Sequence, residues 1–195
     1  MALRKIITAE ERDRKSKRNM TIISILLASI LLLSTAGYFV FDFTNSNSGK
    51  IEYKGVEFTQ TDYGTWSFNA YGVDFQTRYN PLETLNISVL TSKNFQAYNS
   101  QALYLSANPI EDISVVSYEE ILRNFASMLS RYNLACFEES CGQDYPIKNC
   151  EDNMILFKSS NNSRVYDVNG CVTIEYASGE ELMVADAFLF KVLGF

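Results

Sequence analysis

The residues of this chain best suited by type to covalent or metal chemistry are four cysteines, Cys136, Cys141, Cys150 and Cys171, all in the C-terminal half. A four-cysteine zinc site normally shows two tight CxxC-like pairs, whereas the intervals here hold 4, 8 and 20 residues. The same spacing lacks the CxxC of a redox motif, which weighs against a thiol–disulfide exchanger built on Cys136 and Cys141. In an oxidising compartment two disulfides are the simpler account. The chain contains no histidine, so Ser-His-Asp and Cys-His catalysis and every His-ligated metal site are excluded. The usual sensor of mild acidification is missing for the same reason.

Acidic pairs are the other candidates for chemistry. Glu111-Asp112, Glu119-Glu120, Glu138-Glu139 and Glu180-Glu181 could in principle supply a general acid and a base, as a carboxylate hydrolase requires. Two of these pairs fall where acids favour a helix N-terminus, and that structural reading is preferred. No two glycines lie within five residues of each other, so phosphate-cradling loops and the nucleophile elbow are absent. The sequence therefore predicts no catalytic residues, no metal and no cofactor. Asn86-Ile87-Ser88 and Asn161-Asn162-Ser163 fit the N-glycosylation acceptor pattern, and Asn161, in an expected loop, is the better of the two.

The elements that must position these residues are read from periodicity. Ile51 to Gln60 reads as a first strand. Trp66, Phe68 and Ala70 share one face of the next, and Val73, Phe75, Thr77 and Tyr79 share one face of a third, making an antiparallel meander with a buried side. Ala102 to Ser106 reads as a strand, Ser117 with Glu120 as a capping box, and Ile121, Phe125, Met128, Leu129 and Tyr132 as a helical stripe. Leu134 to Phe137 follows as a second strand, completing a βαβ unit. Met154–Lys158, Arg164–Val168 and Cys171–Tyr176 read as three successive strands, the last two joined by the hairpin dipeptide Asn169-Gly170. Ser178 and Glu181 are expected to cap a strongly apolar C-terminal helix. If the first of the three strands pairs with the second, its start lies at the Asn169-Gly170 end. Cys150 is then brought to Cys171, leaving Cys136 to Cys141.

Before this domain, Met20 to Phe41 carries no charge and follows seven basic residues set against three acidic ones. Twenty-two helical residues measure about 33 Å, enough for a hydrocarbon core of about 30 Å. The reading is a basic cytoplasmic tail (1–19), a transmembrane signal-anchor helix (20–41) in contact with membrane lipid, a polar linker (42–50) and an extracytoplasmic domain (51–195). A cleaved leader and a pilin-like leader are the alternatives weighed and set aside. Beyond the tail, 10 basic residues stand against 20 acidic ones, a net charge of −10 that argues against nucleic acid as a partner.

Two runs, Pro146-Ile147-Lys148-Asn149-Cys150-Glu151-Asp152-Asn153-Met154-Ile155-Leu156 and Asp186-Ala187-Phe188-Leu189-Phe190-Lys191-Val192-Leu193-Gly194, resemble a group of uncharacterised archaeal proteins with a single N-terminal membrane helix. That resemblance implies no activity and no site residues. The sequence thus predicts an α+β domain with a mixed sheet, stapled by two disulfides and serving as a binding or structural component at the outer face of a cell membrane, not as an enzyme. The alternative is an accessory subunit whose apolar helix, with small residues at Ala28, Ser29, Ser34, Ala36 and Gly37, packs on a membrane protein partner.

Overall fold

The computed structural model of the chain describes residues 17–29, 49–107 and 109–195. Residues 17–29 are helical (α1). The expected membrane span over 20–41 is corrected by this finding: no helix among the described residues is long and apolar enough to cross a membrane. Residues 30–41 of that expectation, the linker up to Ser48 and the tail before Lys17 lie outside the described residues.

Residues 50–195 form one compact unit with two principal sheets. The first is a four-stranded antiparallel meander, β1 (Lys50–Tyr53), β2 (Val56–Gln60), β3 (Trp66–Ala70) and β4 (Val73–Thr77), paired in chain order. The expected single strand over Ile51–Gln60 is in fact the β1–β2 hairpin, because Lys54 and Gly55 both take positive φ (49° and 79°) and reverse the chain in two residues. Phe58, Trp66, Phe68 and Phe75 turn inward. The Phe68 ring stands 4.5 Å from Phe58 and 5.5 Å from Phe75, and Phe190 and Phe195 from the C-terminus meet Phe58 edge-on. The aromatic row is core.

The free edge of β4 is closed by a side chain. Asn124 accepts the backbone N–H of Gln76 at 2.9 Å and donates to its C=O at 2.9 Å, filling both hydrogen-bonding positions as a neighbouring strand would. Asn124 belongs to α2 (Val115–Phe125), whose N-cap is Ser114. The capping box expected at Ser117 does not form. Ser117 instead donates to the Glu181 carbonyl at the start of α3 (Glu181–Val192), tying the two helices together. Nor does Ser178 cap α3, which begins behind Glu180 without a side-chain cap bond.

The second sheet has six strands in the order β5 (Ser88–Leu90), β11 (Arg164–Val168), β12 (Cys171–Tyr176), β10 (Met154–Ser159), β6 (Ala102–Ala107), β7 (Arg131–Leu134). β6, α2 and β7 form a βαβ unit with β6 and β7 parallel neighbours. The helix stops at Phe125, however, and the second strand is Arg131–Leu134 rather than the expected Leu134 to Phe137. Tyr132, expected on the helical stripe, lies in β7, and Cys136–Phe137 is a separate short strand. The last third differs from expectation. β10 does not pair with β11; it pairs in parallel with β12 and with β6, and β12 is inserted between β10 and β11. Burial explains the choice: all six residues of β12 are buried, so it needs strands on both sides, whereas β11 has exposed ends and sits one place further out. Buried residues of α3, among them Val184, Phe188 and Leu189, pack with Ile155, Phe157, Val165, Val172 and Ile174 in the main core.

Cys150 is bonded to Cys171 and Cys136 to Cys141, with Cα atoms 4.7 and 5.4 Å apart. The parallel register Ile155↔Val172 sets the starts of β10 and β12 side by side, so the approach to β10 passes Cys171. A parallel neighbour thus delivers Cys150 to the same place as the antiparallel one expected. Contact there is tight: a Cβ on Gly170 would lie 2.7 Å from the Cys150 carbonyl oxygen, and Gly170 has φ +100°.

In the chain-entropy argument the Cys150–Cys171 loop stabilises by about 3 kcal/mol and the shorter Cys136–Cys141 loop by about 2 kcal/mol. The double variant Cys150→Ser/Cys171→Ser is therefore expected to melt below Cys136→Ser/Cys141→Ser. Paired thermal melts check the order, and equal loss from the two pairs would refute the loop-length explanation.

Candidate binding groove

Alternation along the second sheet sends Ile155, Phe157, Val165, Val172 and Ile174 into the helix-covered core. The intervening residues, Leu156, Lys158, Tyr166, Val168, Thr173 and Glu175, face the opposite way. Helices do not cover that second face. Part of it is covered by the segment 136–150, in which β8 (Cys136–Phe137) and β9 (Ile147–Lys148) make a two-residue parallel pair. This segment is closed on itself by Cys136–Cys141 and fastened to the sheet by Cys150–Cys171. Tyr104, Ala135, Met154 and Cys171 form a small second core beneath it.

Between the fastened segment and β10, β11 and β12 runs a groove of about 500 Å³, lined by Phe137, Glu138, Leu156, Lys158, Tyr166 and Thr173. One end reaches the β11–β12 turn at Asn169 and the Cys150 bridge, and at the other stands a fixed polar group. Glu175 is only 3% exposed. Its Oε1 accepts from Lys158 Nζ at 3.1 Å and from the Tyr166 hydroxyl at 2.8 Å, and its Oε2 accepts from Arg164 Nε at 2.6 Å. The Arg164 guanidinium also lies 4.8 Å from the Tyr166 ring centre. Burial alone would push the Glu175 carboxyl up; the hydrogen bonds from Arg164, Tyr166 and Lys158 outweigh it and hold it down at about 2. Burial and the bond to Glu175 push the Tyr166 hydroxyl up.

Chemically, Glu175 is an anchor ionised at neutral pH and engaged by three donors. It fixes the Lys158 ammonium and the Tyr166 ring at the groove while the alkyl and aromatic surfaces of Leu156, Phe137 and Val168 remain available to an apolar group. The acidic pairs noted in the sequence do not converge here. Glu138 lines the groove, Glu120 is buried in α2, and Glu180 and Glu181 begin α3. Asn86 and Asn161 are both exposed, in the turn before β5 and in the β10–β11 connection. Among the described residues no group of three or more Cys, Asp or Glu side chains is placed to hold a metal ion.

Periodicity overlooked Lys158, Tyr166 and Glu175, although one signal was present: Glu175 is the lone charge in the run Val172–Tyr176, and a buried acid needs cationic partners. No protein family, curated protein or solved structure matches the chain.

Because its folded value is depressed, Glu175 contributes stability that is present above the ordinary carboxylate range and lost as pH falls toward about 2. Glu175→Gln is expected to cost about 1–3 kcal/mol at neutral pH and to flatten the acid limb of the stability curve. Urea unfolding as a function of pH measures both; an acid limb identical to that of the parent would show that Glu175 does not govern it.

Proposed function

We propose that residues 50–195 form an extracytoplasmic binding domain that seats a small amphipathic ligand in the groove on the open face of the six-stranded sheet. The observation that carries this reading is the combination of an apolar floor at Leu156, Phe137 and Val168 with a preorganised polar end at Lys158, Tyr166 and Thr173. The ligand's apolar body lies along the floor and its hydrogen-bonding head meets the Tyr166–Lys158 end.

Binding is favoured over turnover by the state of the one carboxylate at that end. Glu175 is held ionised by three donors, so it has no proton to give, and its oxygens are engaged by Lys158, Tyr166 and Arg164. The extracytoplasmic location is supported by the two disulfides, which persist in oxidising compartments. In that location exposed Asn86 and Asn161 become available as glycan acceptors.

The probe for a test is 1-anilinonaphthalene-8-sulfonate, a fused-ring body with an anionic head. Titrated into the native protein, it is expected to shift the nuclear magnetic resonance signals of Leu156, Tyr166 and Thr173 together. Leu156→Trp, which fills the floor, should weaken it at least tenfold, on the order of 1.4 kcal/mol, without lowering the melting temperature. Tyr166→Phe should weaken it less. Unchanged affinity in Leu156→Trp would place binding elsewhere and sink the groove assignment.

A further inference from the structure

A second buried acid site lies away from the groove, where α2, α3 and the chain leaving β4 meet. Asp186 on α3 is 0% exposed and Glu120 on α2 is 1% exposed. The backbone N–H of Tyr79 donates to Asp186 Oδ2 at 2.8 Å, and Arg123 reaches Glu120 Oε2 at 3.1 Å from the next turn of α2. Asp186 Oδ1 and Glu120 Oε1 are left over, both buried and without an N–H or hydroxyl partner. Glu120 is near enough for its charge to act on Asp186. Since ionised carboxylates only accept, a proton on one of them is what would let it donate to the other and satisfy the two leftover oxygens.

The charges around the pair are few. On α2, Arg123 supplies one cation, itself half exposed. From the segment after β4 comes the backbone N–H of Tyr79, while the Arg78 guanidinium is turned away to the carbonyls of Tyr63 and Gly64. The nearby Glu83 carboxylate is occupied by the Asn80 N–H. One cation faces two carboxylates, and a single shared proton completes the balance.

We propose that Asp186 and Glu120 share one proton and act as a pH-sensitive latch that holds α2, α3 and the end of β4 together when protonated and parts when the proton leaves. Burial first, and the Glu120 charge second, push the Asp186 carboxyl well above its ordinary range; burial likewise pushes Glu120 up against the pull of Arg123. A folded-state value raised above the unfolded one contributes stability that is fully present below the unfolded value and lost as pH rises through the folded one. The latch therefore weakens as pH rises. In a chain without histidine, it provides a titration above the ordinary carboxylate range.

Asp186→Asn keeps the shape, accepts from Tyr79 N–H and donates permanently to Glu120. With the full chain, the melting temperature is expected to fall as pH rises above the ordinary carboxylate range, and Asp186→Asn to remove that fall and to melt above the parent there. Carboxyl-carbon resonance of the unsubstituted protein is the second readout, independent of whether the variant folds. One Asp signal should stay in its protonated position after the other Asp signals have moved. The latch is refuted if all Asp signals move together in the ordinary range, or if Asp186→Asn keeps the parent's fall.

Discussion

β12 is buried along its whole length, and one of its residues is an acid. Taking Glu175 out of water is costly unless its charge is met, and the register meets it from both sides: Lys158 of β10 and Arg164 of β11 are its direct cross-strand partners. A slip of one residue on either side would send the cation to the opposite face and leave the carboxylate alone. The charge therefore fixes the order β11-β12-β10 as firmly as the apolar residues around it do. Much else follows from that order. It lines up the starts of β10 and β12, brings Cys150 to Cys171, fastens the 136–150 segment over part of the open face, and leaves a groove beside it.

Glu175 and Asp186 show how partners decide what burial does to an acid. Both side chains are withdrawn from solvent. Glu175 has three donors on two oxygens and is held down; Asp186 has a backbone N–H and a second carboxyl for company, and is held up. These are opposite directions, about which the amino-acid type alone says nothing.

Local pattern made parts of this fold legible. Alternation located β3 and β4, Asn169-Gly170 located the β11–β12 hairpin, and the helical stripe after an apolar strand indicated a parallel crossover from β6, although the partner strand β7 falls at Arg131–Leu134, ahead of the apolar run expected to form it. What remained hidden depends on contacts between distant segments. The insertion of β12 between β10 and β11 is decided by which strand is buried on both faces, and three similar apolar runs do not reveal that. Ser117 stands three residues before Glu120 and Ser114 three before Ser117, so spacing points to the wrong serine, and only the packing of Ser117 on the α3 terminus leaves the cap to Ser114. The groove draws on Phe137, Leu156, Tyr166 and Thr173, from four segments, with no local signature at all. The disulfide pairing was legible because it needs only the end at which β10 starts, and that survives the change of neighbour.

The amide of Asn124, which fills the hydrogen-bonding positions of β4, bears on how these molecules behave in a crowd. An open sheet grows by recruiting a strand from another chain at an unpaired edge, the step from which aggregates begin. At β4 that step is blocked at Gln76 by a side chain of the same molecule, because an incoming strand would first have to evict it. The meander's other edge, β1, presents exposed Lys50 and Glu52 instead, and alternating charge makes a poor template for an apolar intruder. Colloidal protection of this sheet thus rests at one margin on a single amide and at the other on charge.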